Sequence, residues 1–200
     1  MGEIECGGCF HRCRLAEGRT GICRARKNEN GENVCLNYGK LTAMALDPIE
    51  KKPLAQFYPG SKILSVGSFG CNLRCPFCQN DAISCADENS AVWERHDPAE
   101  LAVLAESLKE KGNIGLAFTY NEPMIGWEFV RDTALEVRKR GMKNVVVTNG
   151  SVSLPVLEKV LPEIDAFNVD LKGFTQACYR RLAGGLGSLQ SFIREILLQA

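Results

Sequence analysis

Three cysteines crowded into one loop constrain this chain more than any other feature. Cys71, Cys75 and Cys78 stand at Cys-x3-Cys-x2-Cys spacing in the stretch Gly70-Cys71-Asn72-Leu73-Arg74-Cys75-Pro76-Phe77-Cys78-Gln79-Asn80. The loop follows a short apolar strand, Ile63, Leu64 and Val66. Thiolates so spaced reach three irons of one cubane [4Fe–4S] cluster and leave the fourth iron without a protein ligand. An open metal position marks a reactive site rather than a structural one, as it does for zinc. A structural zinc site would require two Cys-x2-Cys-like pairs, and a ferredoxin-like carrier would require a fourth cysteine nearby. Cys85 is the candidate for that fourth position, and no turn signal aims it back at the loop.

From Lys62 onward the pattern is strand, loop, helix, repeated. Asp97-Pro98-Ala99-Glu100 opens a helix with Asp as cap, Pro at the first position and Glu at the capping-box position. Its apolar face is Leu101, Leu104, Ala105 and Leu108, and it stops at Gly112. A second strand covers Ile114 to Phe118, and a second helix covers 124–140, with Ile125, Phe129, Val130 and Val137 inward and Gly141 as its stop. Val145 to Val147 is a third strand, Leu154 to Leu161 a short helix, and Ala166 to Leu171 a fourth strand. Ser188, Leu189, Phe192, Ile193, Ile196, Leu197 and Ala200 describe a last amphipathic helix. Alternating helices and continuously apolar strands predict an α/β fold, a parallel sheet covered by helices. In such folds chemistry gathers where strands end.

Residues 1–60 read differently, as a small Cys-rich N-terminal segment ahead of a core at 61–200. Cys6, Cys9, Cys13 and Cys23 lie among Gly7, Gly8, Gly18 and Gly21. Four thiols on flexible backbone predict a second metal, zinc or a second iron–sulfur cluster, that orders a segment too short to bury a core. His11 is a minor further donor. Asn30-Gly31 predicts a hairpin between Arg24–Asn28 and Val34–Tyr38, and Leu41 to Leu46 is extended up to Asp47-Pro48. Cys35, Cys85 and Cys178 are isolated and read as buried small apolar residues. Lys51-Lys52 reads as solvated surface, His96 as exposed, and Trp93 and Trp127 as packing residues.

Composition narrows the function classes. Lys+Arg and Asp+Glu both number 24, so the chain has no electrostatic footprint for nucleic acid or an anionic membrane. No charged n-region precedes an apolar stretch and no apolar run reaches membrane-spanning length. The expected location is therefore cytoplasmic. Ten cysteines in that compartment point to metal rather than to disulfides.

The three-cysteine loop, with Phe77 just before Cys78, resembles the signature of the radical S-adenosylmethionine (SAM) superfamily. Further stretches resemble one branch, the AmmeMemoRadiSam system radical SAM enzymes, related to pyruvate formate-lyase activating enzymes. They are Cys6-x2-Cys9-x3-Cys13 with Gly18-x2-Gly21-x-Cys23, Asp47-Pro48-Ile49-Glu50-Lys51-Lys52-Pro53-Leu54, and Phe118-Thr119-Tyr120-Asn121-Glu122-Pro123. The resemblance implies a partial parallel (β/α) barrel of radical SAM type. It implies a [4Fe–4S] cluster that reduces SAM to methionine and a 5′-deoxyadenosyl radical, which takes hydrogen from a substrate.

The resemblance also assigns roles at the strand ends. Phe77, Glu122, Asn149, Asp170 and Lys172 become cofactor-binding residues. Glu122 would hold the SAM ammonium, and Asp170 and Lys172 would suit a zwitterion. Val147 stands where activating enzymes carry Asp, so a cation site built on that Asp is not expected. The implied partners are a reducing electron donor, such as flavodoxin or ferredoxin, and an unassigned substrate, for which kinship with activating enzymes suggests a protein. Four strand–helix units are legible where such cores usually have six, which predicts that this chain is part of a longer protein. The competing functions are an iron–sulfur electron carrier and a zinc-stapled interaction module.

Overall fold

A computed structural model of the chain describes residues 2–54 and 56–183. The first elements are short because the first forty residues are rich in Cys and Gly and offer few apolar side chains to bury. β1 (Ile4–Glu5) pairs antiparallel with β2 (Arg14–Leu15). β3 (Arg26–Glu29) and β4 (Glu32–Cys35) form the expected hairpin. Its turn residues Asn30 and Gly31 take φ of 57° and 83°, the left-handed geometry that suits an Asn-Gly pair between right-twisted strands.

The elements that follow are β5 (Lys40–Leu41), β6 (Ala43–Pro48), β7 (Lys62–Gly67), α1 (Asp81–Ser84), β8 (Glu94–Arg95), α2 (Pro98–Ser107) and β9 (Asn113–Phe118). Then come α3 (Trp127–Lys139), β10 (Lys143–Thr148), α4 (Leu154–Val160), β11 (Ala166–Val169) and α5 (Gln176–Ala183). The main sheet has the order β11-β10-β9-β7-β6. β7, β9, β10 and β11 run parallel, and β6 adds antiparallel to β7. Residues 43–48, from the segment read as the lead-in, thus form an outer strand of the core sheet.

Both sheet faces are buried, which is why the central strands read as unbroken apolar runs. On one face Leu64, Val66, Leu116, Phe118 and Val146 pack against Leu101 and Ala105 of α2 and Phe129, Ala134 and Val137 of α3. On the other face Ile63, Ala117 and Val145 pack beneath Ile49, with Leu54 and Phe57 beside them. Each fully buried aliphatic side chain here contributes about 1.5–3 kcal/mol relative to exposure. The helices lie on one face and the strands stagger beneath them, as in an open (β/α) barrel.

Caps explain the helix ends. Asp97 accepts from Ala99 N, and Glu100 reaches back to the Asp97 backbone in a full capping box. The α-helical part ends at Ser107, and a 3₁₀ turn, Lys109–Lys111, carries the chain to Gly112 at φ 86°. The helix expected over 124–140 begins later, at Trp127, because a separate 3₁₀ turn, Pro123–Gly126, precedes it. α1, β8 and α5 were not expected from the sequence. The expected helix from Ser188 to Ala200 lies outside the described residues. No helix among the described residues is long and apolar enough to cross a membrane.

Candidate active site at the strand ends

The ends of β7, β9, β10 and β11 open onto one cavity of about 380 Å³. Cys71, Cys75, Cys78 and Phe77 line it from the loop after β7, and Tyr120 and Glu122 from the loop after β9. Thr148 ends β10 and Asn149 follows it, and Asp170 and Lys172 follow β11. Every residue assigned from the sequence to the cluster or to SAM therefore faces the same space. Its volume falls within the usual range for a cofactor pocket.

The three thiols are free and half-buried. Burial pushes Cys71 up to about 12, with the Glu122 carboxylate and the neighbouring thiols adding to the effect. Burial also raises Cys75, against the opposing pull of Lys172. Thiols this reluctant to ionise alone require a cationic partner to become thiolates, which is what an iron–sulfur cluster provides. Among the described residues no three His, Cys, Asp or Glu side chains stand close enough to share one metal ion. A cubane places its three thiolates on three different irons, so the donor set fits the cluster without contraction onto a single centre.

Asparagines hold the loop. Asn72 is buried; its Nδ2 donates to Ser151 Oγ at 2.6 Å and its Oδ1 accepts from Asn149 Nδ2 at 2.9 Å. Asn121 Nδ2 donates to Gly70 O at 2.9 Å, and Asn121 Oδ1 accepts from Ser68 N at 3.0 Å. Asn80 Nδ2 donates to Tyr120 O at 2.8 Å. Gly70 sits at φ 85°, and a Cβ there would come within 2.4 Å of Cys23 O, so only glycine lets the loop pass the N-terminal segment.

Glu122 is buried at the base of the cavity. Its Oε1 accepts from Thr148 Oγ1 at 2.7 Å and from Met124 N at 3.0 Å, and its Oε2 accepts from Asn149 N at 2.7 Å. It thus caps the 3₁₀ turn after β9 and clasps the end of β10. Burial raises its pKa, opposed by those three donors. Asp170 and Lys172 form an ion pair at the cavity mouth, and the Asp170 side chain remains 58 % exposed. Lys172 Nζ lies 6.0 Å from the Phe77 ring centroid.

The N-terminal cysteines also converge. Cys6, Cys9, Cys13 and Cys23 line a separate small cavity with His11 and the far side of Asn72. Three sequence expectations are corrected here. Cys85 is exposed rather than buried, because it ends the one-turn helix α1 at the surface. Lys52 is 3 % exposed rather than solvated. Its Nζ donates to Asp47 Oδ2 at 2.9 Å, which also accepts from Tyr120 Oη at 2.7 Å, and the pairing makes burial of the ammonium tolerable. His96 is half-buried, its backbone N–H bonded to Gly39 O at 2.7 Å.

Sequence reasoning missed Asn72, Tyr120 and Asn121 as site builders. Their signal was position alone: each follows a strand end or a cysteine, where polar side chains have unpaired backbone to satisfy.

Comparison with known proteins gives the family. The Radical SAM superfamily family model matches residues 65–196. The chain is similar to the uncharacterized protein MJ0808 of Methanocaldococcus jannaschii, 39 % identical over 171 residues, which is 86 % of this chain and 50 % of that protein. It is also similar to the pyruvate formate-lyase 1-activating enzyme of Escherichia coli strain K12, 27 % identical over 126 residues, 58 % of this chain and 47 % of that enzyme. The chain spans about half the length of these curated relatives. A solved structure of TYW1 with a lysine-pyruvate adduct bound aligns with 77 % of this chain and 60 % of its own, at 18 % identity and a TM-score of 0.48.

Proposed function

The chain belongs to the radical SAM superfamily, and on that premise we propose that it holds a [4Fe–4S] cluster on Cys71, Cys75 and Cys78 and acts on SAM bound beside it. The observation that carries the proposal is the shared cavity: three thiols and the polar and charged residues from three further strand ends face one space. When bound, cluster and SAM together supply reductive cleavage to methionine and a 5′-deoxyadenosyl radical, which abstracts hydrogen from a substrate.

The chain's own residues bind and orient. Asp170 and Lys172 present a carboxylate and an ammonium at the cavity mouth, complementary to the ammonium and carboxylate of an amino-acid zwitterion. Glu122 fixes the ends of β9 and β10 through its three donors and would supply a carboxylate toward the SAM ammonium. Asn149 locks the cysteine loop through Asn72 and so sets the distance between cluster and SAM sites. Phe77, 54 % exposed, lines the same cavity next to Cys78 in the loop.

The reductant in this proposal is a small electron carrier such as flavodoxin or ferredoxin. The substrate class is a protein, by kinship with the activating enzyme. The test is anaerobic incubation of the reconstituted chain with SAM and dithionite. Formation of 5′-deoxyadenosine and methionine in equal amounts supports the proposal, and absence of both from a cluster-replete chain contradicts it.

A further inference from the structure

We propose that Cys6, Cys9, Cys13 and Cys23 hold a second thiolate-bound metal centre, separate from the cluster on the strand-end loop. Four observations converge on it. First, one strand pairing and one turn bring distant cysteines together. The β1–β2 pairing places Cys6 opposite Cys13, with Cys6 N donating to Cys13 O at 2.8 Å. Gly21 N donates to Arg26 O at 2.8 Å, which turns the chain so that Cys23 reaches the same space.

Second, two glycines stand directly beside the thiols. A Cβ on Gly21 would lie 3.6 Å from Cys13 Sγ, and one on Gly8 would lie 3.8 Å from Cys6 Sγ. Third, Cys6 and Cys23 are among the most buried cysteines, 6 % and 7 % exposed, inside a segment with little apolar core of its own. A metal would stabilise such a segment where packing cannot.

Fourth, a nitrogen donor stands at this cavity without a partner. His11 Nε2 lies 2.7 Å from Asn72 O, an acceptor, so Nε2 carries the hydrogen. The neutral ring then presents the lone pair of Nδ1, which is buried and has no hydrogen-bond partner. A histidine whose far nitrogen donates to a backbone carbonyl is in the tautomer and orientation that metal ligation uses.

Two features bear on nuclearity. The space is narrow, about 20 Å³, which suits one ion. Among the described residues no three donors stand close enough to hold one ion as they stand. The chemistry common to a single ion and a cluster is a thiophilic metal, and element analysis separates them.

The test uses the full chain carrying Cys71→Ala, Cys75→Ala and Cys78→Ala, so that failure of the catalytic-cluster reading cannot affect it. Zinc, iron and acid-labile sulfide are measured alongside circular dichroism. We expect the folded protein to retain about one zinc, or about four irons with sulfide, per chain. Adding Cys6→Ser or Cys23→Ser should reduce that content at least fivefold. If the triple variant does not fold, the same two serine substitutions are made in the otherwise native chain, and the metal lost is compared with the catalytic cluster's own iron. A folded triple variant with neither zinc nor iron overturns the proposal. So does metal content that Cys6→Ser and Cys23→Ser leave unchanged.

Discussion

Asn149 Nδ2 donates a 2.9 Å hydrogen bond to Asn72 Oδ1, joining the cysteine loop after β7 to the loop after β10. The two residues are far apart in sequence and both are buried. Neither touches solvent enough to be replaced by water. The same Asn72 meets the N-terminal segment through its carbonyl on His11, so one side chain and its backbone connect three parts of the molecule.

Asn72→Ala should therefore cost more than one hydrogen bond. It leaves the Asn149 Nδ2 donor buried without a partner, at a cost of about 1–3 kcal/mol, and removes the hydrogen bond that Ser151 Oγ accepts, although that hydroxyl keeps its bond to Asn149 Oδ1. Urea unfolding should show a loss in that range, and Asn149→Ala should show a similar one. Because both break the same bond, the double variant should lose less than the sum.

Arg26 anchors the hairpin to α3. Its Nε donates to Ile125 O at 2.6 Å, and its two terminal nitrogens donate to the Glu128 carboxylate at 2.6 and 2.5 Å. Arg26→Lys keeps the charge but loses the fork, so a buried pair becomes a single contact. We expect a loss of about 2 kcal/mol in the same unfolding assay. An unchanged midpoint would show that the fork contributes nothing.

Asp47 should make stability acid-sensitive. Burial alone would raise its pKa, but hydrogen bonds from Lys52, Tyr120 and Lys51 outweigh burial and hold it well below the usual carboxylate range. A carboxyl whose pKa is lower folded than unfolded stabilises the fold above its unfolded value, about 4, and loses that contribution as pH falls further. Asp47→Asn also leaves Lys52 buried without its counter-charge. At pH 7 the variant should be about 3 kcal/mol less stable. The gap should narrow as pH drops below about 4. A gap that does not change with pH would contradict the assignment.

Much of this was legible in the sequence, for reasons that differ by element. The four parallel strands were visible because both faces of the sheet are buried, so Ile114–Phe118 and Val145–Val147 are apolar without alternation. The capping box at Asp97 was visible because it is a local rule. The burial of Lys52 was not, since it depends on Asp47 and Tyr120 arriving from other elements. The Asn72–Asn149 bond was hidden for the same reason. Glu122 was assigned by the family resemblance of its stretch, but its three donors come from folding and could not be read beforehand.

Glu122→Gln separates its positioning role from its charge. The amide nitrogen would face donors where the carboxylate now accepts from Asn149 N or Thr148 Oγ1, so stability should fall by about 1–3 kcal/mol. SAM affinity, read by equilibrium dialysis of the reconstituted protein, should fall about tenfold if the charge contributes about 1.4 kcal/mol. Stability loss with unchanged affinity would leave Glu122 a purely structural clasp.

The most direct test of the central claim is electron paramagnetic resonance of the anaerobically reconstituted, dithionite-reduced chain, with and without SAM. The account predicts a [4Fe–4S] signal that shifts when SAM is added, because SAM takes the iron that Cys71, Cys75 and Cys78 leave open. It predicts loss of that SAM-responsive signal in each of the single variants Cys71→Ala, Cys75→Ala and Cys78→Ala. Retention of the SAM-responsive signal in all three variants would contradict it.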